Sequence, residues 1–406
     1  MCPRMKLASL TRSDDPGPLL AALRGEGPLV RLRVPLVGEV WTTTTDEAAR
    51  AVLKDVDRFA RDPRPVTGRS LASTYWWLPK RLSPLLESLL TKDGDDHRRL
   101  RRLVDRAFAK QAIDDLRPRL AARADALLRG MDPGAPADAV AGYTRPLPFE
   151  AIVDLLGLPE RSLGPLRRGV APLSSISGPV SAVLGLARLG GVQRLLRAEI
   201  EDARHEPRPG LLSDLVADMD GDRLSDDEAL AMVFTLFVAG HETTVHLLNA
   251  CLLTLCDAPA LRDAVAEDAG ARALFVEEVM RHFSPVALTK AHYARADADV
   301  MGVRVRKGEA VMPLLFAANH DPARFDRPGN LRADRRPNAH LGFGHGPHVC
   351  LGMQLARAEA QVGVERMLRM FPRYELASAT RPGWTRRVGI RAPSGLSLRL
   401  RPRVAR

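Results

Sequence analysis

Between residues 28 and 44 the chain reads PLVRLRVPLVGEVWTTT, in which apolar and polar positions alternate and β-branched residues flank a Val-Gly turn. A period of two predicts a short β-hairpin. From about residue 46 to 285 the pattern becomes helical. In HRRLRRLVDRAFAK the apolar residues Leu100, Leu103, Val104 and Phe108 share a face while arginines fill the other, which predicts an amphipathic helix. Segments around 115–130, 148–157, 190–204 and 212–218 predict further helices, separated by Pro, Gly and acidic turns.

The longest helix is predicted from Ser225 to about Cys256. Ser225 and Glu228 form a capping box, Asp226 and Asp227 suit the positive end of the helix dipole, and Pro259 lies just beyond the end. Its stretch from Leu230 to Gly240 is apolar on every side, so it reads as a buried central helix of roughly 45 Å. His241 and Glu242 interrupt the apolar run short of the ~20 residues a membrane span needs. After Pro285 strand and turn signals return. DVMGVRVRKGEAVMPLLF predicts a hairpin turning at Lys307-Gly308, and a loop rich in Pro, Asp and Arg fills 319–340. CLGMQLARAEAQVGVERMLRMF predicts a last amphipathic helix, and the tail from Tyr374 is β-like, with GLSLRLRP alternating near its end. The expected fold is mainly α, one large domain over 1–406. Its helix-rich core covers about 46–285 and 351–372, and its β-rich parts cover about 28–44, 286–318 and 374–403.

Composition changes this picture little. With 406 residues, 45% hydrophobic and 27% charged, the chain has material for a large core and is not disordered. MCPRMKLASLTRSDD lacks the apolar centre of a signal peptide, which predicts a cytoplasmic protein. The four cysteines contain no Cys-x-x-Cys and make no disulfide framework; Cys251 and Cys256 read as small buried side chains. A net charge of +11 raises nucleic acid as a partner. Dispersed arginines, only 5% aromatics and no nucleic-acid signature argue against it, leaving a basic docking face for an acidic protein or an arginine-rich solvated surface.

Two segments carry chemistry. AGHETTVH places His241 and His246 on the central helix, but a shared zinc needs histidines four apart, and His246 lies roughly 140° around the helix from His241. The pair therefore reads as packing or surface residues, and the Gly, Glu and Thr between them need another reason. LGFGHGPHVCLG sets Gly342, Gly344, Gly346 and Gly352 around Cys350 at the start of the last helix. Glycines let a backbone approach a flat ligand, and the helix N-terminus favours a thiolate, which is a fit axial ligand for haem iron.

Phe343, Gly346, Cys350 and Gly352 match the Phe-x-x-Gly-x-x-x-Cys-x-Gly signature of the cytochromes P450. HRRLR, AGHETT, EEVMR and AANHDPARF resemble further segments of that family, in the family's order. The resemblance spans 97–352 and, with the first hairpin, nearly the whole chain; it implies a soluble, bacterial-type monooxygenase. The implied cofactor is haem b with Cys350 thiolate as iron ligand, and O2 is the co-substrate. Ala239 and Gly240 would leave room for cofactor and oxygen, and Phe343 would pack on the haem. Glu242 would relay protons. Thr243 would bond the oxygen ligand or its water, or bond back to its own helix. His97, Arg101 and His348 would hold the propionates, with His292 where the family commonly has an arginine. Glu278 and Arg281 would form the structural pair, with Asn330 where an arginine often completes it and Arg332 or Arg335 as substitutes. Trp76, Trp77, Thr235, Val238, Val286 and Leu288 would wall the substrate pocket, and 173–191 would form a lid. The implied substrate is an apolar small molecule such as a terpenoid, steroid, fatty acid or polyketide. The implied partners are ferredoxin and ferredoxin reductase, and the implied state is a monomer outside any membrane. An H2O2-dependent peroxygenase and a non-catalytic haem-fold partner are the alternatives.

Overall fold

A computed structural model describes residues 6–35, 37–70, 87–170, 179–217 and 224–402. Eight helices position the site: α1 (Asp46–Lys54), α2 (Gly94–Asp105), α3 (Lys110–Arg129), α4 (Pro146–Leu156), α5 (Pro179–His205), α6 (Asp226–Cys256), α7 (Ala269–Phe283) and α8 (Met353–Met370). The central helix α6 starts where the capping box places it. Ser225 Oγ accepts from Glu228 N at 3.2 Å, and the Glu228 carboxylate accepts from Ser225 N at 3.0 Å.

α6 is apolar all round because it has neighbours all round. Near its start Leu230, Val233 and Phe237 join Phe149, Ile152 and Leu156 in one core cluster. Further on, Leu248, Cys251 and Leu255 join Phe275, Val279 and Met367 in a second. α8 crosses close by: a Cβ at Gly363 would stand 3.0 Å from Leu248 Cδ1, so only glycine fits without displacement. By length and composition alone α6 matches a membrane span, but 67% of its most apolar part is buried inside the protein, as expected of a buried central helix. Packing, and not the two polar residues, makes it a core helix.

A five-stranded sheet runs in the order β1-β2-β8-β5-β3, formed by β1 (Leu29–Val34), β2 (Gly38–Thr43), β3 (Phe59–Ala60), β5 (His292–Ala294) and β8 (Ala310–Val311). The first hairpin is as expected, pairing Leu29 with Thr43 and Val34 with Gly38. A second sheet joins β4 (Ala137–Asp138), β10 (Ser397–Arg401) and β9 (Arg373–Leu376). The later hairpin is β6 (Ala298–Val300) with β7 (Val303–Val305), and it turns at Met301-Gly302, not at Lys307-Gly308. Both residues of that turn have positive φ, 53° and 84°, which the right-handed twist of a two-residue hairpin favours. Lys307-Gly308 instead releases the chain to β8 in the other sheet. The helix expected over 190–204 begins at Pro179; residues 173–178 of the expected lid lie outside the described residues.

Candidate active site

The Cys350 loop is folded by its own backbone. Cys350 N donates to Phe343 O at 2.8 Å, Gly344 N to Leu341 O at 2.8 Å, and Val349 N to Gly346 O at 3.0 Å. Gly346 has φ of 73°, and a Cβ there would stand 2.4 Å from Leu53 O of α1. A Cβ at Gly342 would meet Met280 of α7 at 2.5 Å. These two glycines therefore serve the packing of the loop against protein, and Gly342 also borders the cavity below.

Between this loop and α6 lies a cavity of about 370 Å3. Phe343, Gly344, Cys350 and Leu351 line one side, and Thr235, Ala239, Gly240 and Thr243 the other. Cys350 is exposed only in the sense that it opens into this internal space. Burial pushes its thiol up; the Gly352 N–H and the charges of Arg101 and Arg357 pull the other way and do not prevail. The expected preference for thiolate thus does not come from the loop alone. Cys251 and Cys256 are free, and burial pushes Cys256 up to about 12.

Histidines and arginines gather at one edge. His97 of α2 is buried and its ring lies 4.2 Å from that of His348. Arg101 donates to Val349 O at 2.8 Å, tying α2 to the cysteine loop. His97, Arg101 and His348 all line the cavity. His292 sits behind that wall on β5, where its Nε2 accepts from Arg61 Nε at 3.0 Å. Arg61 and Lys290, which sequence reasoning missed, both line the cavity.

On α6, Thr243 donates to Ala239 O at 2.8 Å, the bond back to its own helix, while still facing the cavity. Glu242 points away, into a buried group with Arg387 at 2.5 Å, His246 at 3.6 Å and His241 at 3.9 Å. His241 also packs edge-on against Phe149, ring centres 5.6 Å apart. Burial, with Arg145 and Arg387 nearby, lowers both histidines to about 4 against the pull of Glu242. No group of three metal-ligating side chains occurs among the described residues. Beside Thr244, the residue after Thr243, Glu359 of α8 is fully buried, and burial pushes its carboxyl well above the usual range.

Glu278 and Arg281 are both fully buried on α7, joined by two hydrogen bonds of 2.9 and 2.8 Å. Arg335 adds two bonds of 3.1 Å to the same carboxylate, Arg332 contributes its backbone N–H at 2.9 Å, and Asn338 donates at 3.1 Å. Asn330 takes part through its carbonyl, which accepts from Arg281 and Arg335. Of the expected pocket residues, Thr235 and Val286 lie on the cavity wall. Leu288 is buried under the first sheet and Val238 is half-buried away from the wall. Trp76 and Trp77 lie outside the described residues.

A free cysteine on a tight loop thus faces the small residues of a long central helix across an apolar cavity. The chain belongs to the cytochrome P450 family. The cytochrome P450 family model matches residues 192–271 and 273–382. Vitamin D(3) 25-hydroxylase of Pseudonocardia autotrophica is 35% identical over 373 residues, covering 91% of this chain and 90% of that protein. Cytochrome P450 monooxygenase PikC of Streptomyces venezuelae is 34% identical over 394 residues, covering 95% and 91%. The crystal structure of the myxobacterial cytochrome P450 CYP267B1 in complex with myristic acid matches with a TM-score of 0.87 at 34% identity, covering 96% and 98%. The protein is accordingly a P450 monooxygenase, and the family carries haem with a cysteine thiolate ligand.

Proposed function

We propose that this protein inserts one oxygen atom from O2 into an apolar small molecule, by hydroxylation or epoxidation, at a haem b held by Cys350. The observation that carries this reading is the cavity shared by the Cys350 loop and Ala239 to Thr243 of α6. The site fits the cofactor. His97 Nε2 is buried with no hydrogen-bond partner among the described residues, and cationic side chains line the same edge, as a group with two carboxylates requires. When bound, a thiolate-ligated haem supplies reductive activation of O2 and transfer of one oxygen atom.

The chain's own residues do the rest. Cys350 would hold the haem iron as a thiolate, and the Gly352 N–H, which favours the charged sulfur, would stabilise it there. Ala239 and Gly240 keep side-chain bulk out of the cavity opposite the sulfur. Thr243, its proton committed to Ala239 O, presents oxygen lone pairs toward the cavity and accepts a hydrogen bond there. Glu242, one residue away, is placed to relay protons into the cavity by rotation of its side chain away from Arg387 and His246. Leu89, Ile152, Leu236, Leu247 and Val286 make the wall apolar, in keeping with the vitamin D(3) and myristic acid named for relatives.

Electrons come from a ferredoxin and its reductase; α2 exposes Arg98 and Arg102 beside Pro347 of the cysteine loop, where an acidic partner would dock. The protein acts as a cytoplasmic monomer. The test is the absorption spectrum of reduced protein with carbon monoxide, beside that of Cys350→His. The family's red-shifted band, lost in the variant, is the expected result. Well-folded protein without haem would overturn the reading, and turnover with H2O2 but not with reduced ferredoxin would make it a peroxygenase.

A further inference from the structure

Arg61 and Lys290 both line the cavity. Asp93 accepts from the Arg61 backbone and acts on its guanidinium only from a distance, and no close ion pair joins Arg61 or Lys290 to another described residue. Arg61 is placed by strand pairing. β3 and β5 set Phe59 against Ala294 and Ala60 against Tyr293, so the next step brings residue 61 opposite His292. There Arg61 Nε donates to His292 Nε2, which fixes the guanidinium and leaves its terminal nitrogens without a described partner.

The nearest carboxylate is already engaged. Asp93 accepts from Asp62 N at 2.8 Å and lies 3.6 Å from His348 Nε2 and 3.9 Å from Arg295. Burial holds Lys290 below its ordinary value, and the charge of Arg61 lowers it further, as for like charges sharing one space. Arg61 is half-buried and Lys290 is exposed toward the space it lines, and two cations lining one cavity make a site for a carboxylate.

We propose that Arg61 and Lys290 form a carboxylate clamp whose occupant is a haem propionate, with Arg61 bringing from β3 the permanent charge that His292 does not carry. The inference rests on the haem reading above. It favours the cofactor over a substrate carboxylate because the clamp shares its cavity edge with His97, Arg101 and His348, and because Arg61 is anchored to the sheet and not to a pocket loop.

The test is the rate of haem loss to excess apomyoglobin for wild type, Arg61→Gln, Lys290→Gln and Arg61→Lys, with folding checked by circular dichroism. Each glutamine variant is expected to lose haem roughly tenfold faster, the effect of removing a charge-assisted hydrogen bond, and Arg61→Lys less so. Proteins reconstituted with the dimethyl ester of haem, which has no carboxylate, are expected to lose it at one common rate. Haem loss unchanged in both glutamine variants would overturn the proposal. If those variants instead abolished a wild-type preference for myristate over methyl myristate, the clamp would hold a ligand's carboxylate. Wild-type protein that takes up no haem would defeat the haem reading itself, a separate outcome.

Discussion

Glu278 and Glu242 are both buried carboxylates on long helices, each facing cationic side chains, yet they are built in opposite ways. Around Glu278 both oxygens accept several hydrogen bonds, from Arg281, Arg335, Asn338 and the backbone of Arg332. Around Glu242 the histidines are within ion-pair distance, but neither ring nitrogen of His246 makes a hydrogen bond to a described residue, and His241 Nδ1 lacks one also. A carboxylate saturated with donors has one arrangement and holds the loop before Cys350 in place. A carboxylate among groups with unused hydrogen-bonding capacity has several arrangements, which suits a group that must move a proton.

Removing the saturated carboxylate should have the larger effect on folding. Glu278→Ala leaves Arg281 and Arg335 buried without their partner and is expected to cost about 3–5 kcal/mol, read as a shift in the denaturant midpoint. A shift below 1 kcal/mol would mean the network is not structural. Glu242→Gln should leave the fold nearly intact but cut product formation by about 10²-fold or more, with reducing equivalents diverted to peroxide. Unchanged product and peroxide would erase the contrast between the two sites.

Acid should reach the two regions in sequence. His241 and His246 have folded values of about 4, below the ordinary histidine value of ~6.5, so the unfolded chain takes up protons first. Their contribution is full above pH ~6.5 and fades as pH falls toward about 4. Glu278 behaves as a depressed carboxylate: burial raises it, but Arg281, Arg332 and Arg335 together outweigh that. Its contribution persists above the unfolded value near ~4.3 and is lost only as pH falls through the lower folded one. Tm followed against pH should therefore decline in two stages, and His246→Asn should flatten only the first. The smallest effect belongs to the surface: Arg381→Ala, which removes an exposed pair with Asp257, should change stability by less than about 0.5 kcal/mol.

What the sequence made legible was local or repeated. Ser225 and Glu228 marked the start of α6 because a capping box needs only four residues. The helical period marked α2, and the Cys350 motif marked the loop. The Met301-Gly302 turn was hidden because Lys307-Gly308 carries the same signal, and only the pairing of β6 with β7 separates them. Arg61 was hidden for a deeper reason. Nothing near it marks a ligand-binding residue, and its meaning comes from a strand pairing with a segment more than 230 positions away. The orientation of Glu242 away from the cavity was likewise illegible, since Arg387 approaches from the far end of the chain.

The crossing of α8 over α6 also sets an order of events during synthesis. α6 ends at Cys256, and the helix that covers its second half is not finished until Met370. At about 5–20 residues per second a ribosome needs roughly 6–23 s to make the intervening stretch. For that interval a helix able to enter a bilayer waits with one flank bare, so the newborn chain is most exposed to aggregation or mistaken membrane targeting before its last helix arrives.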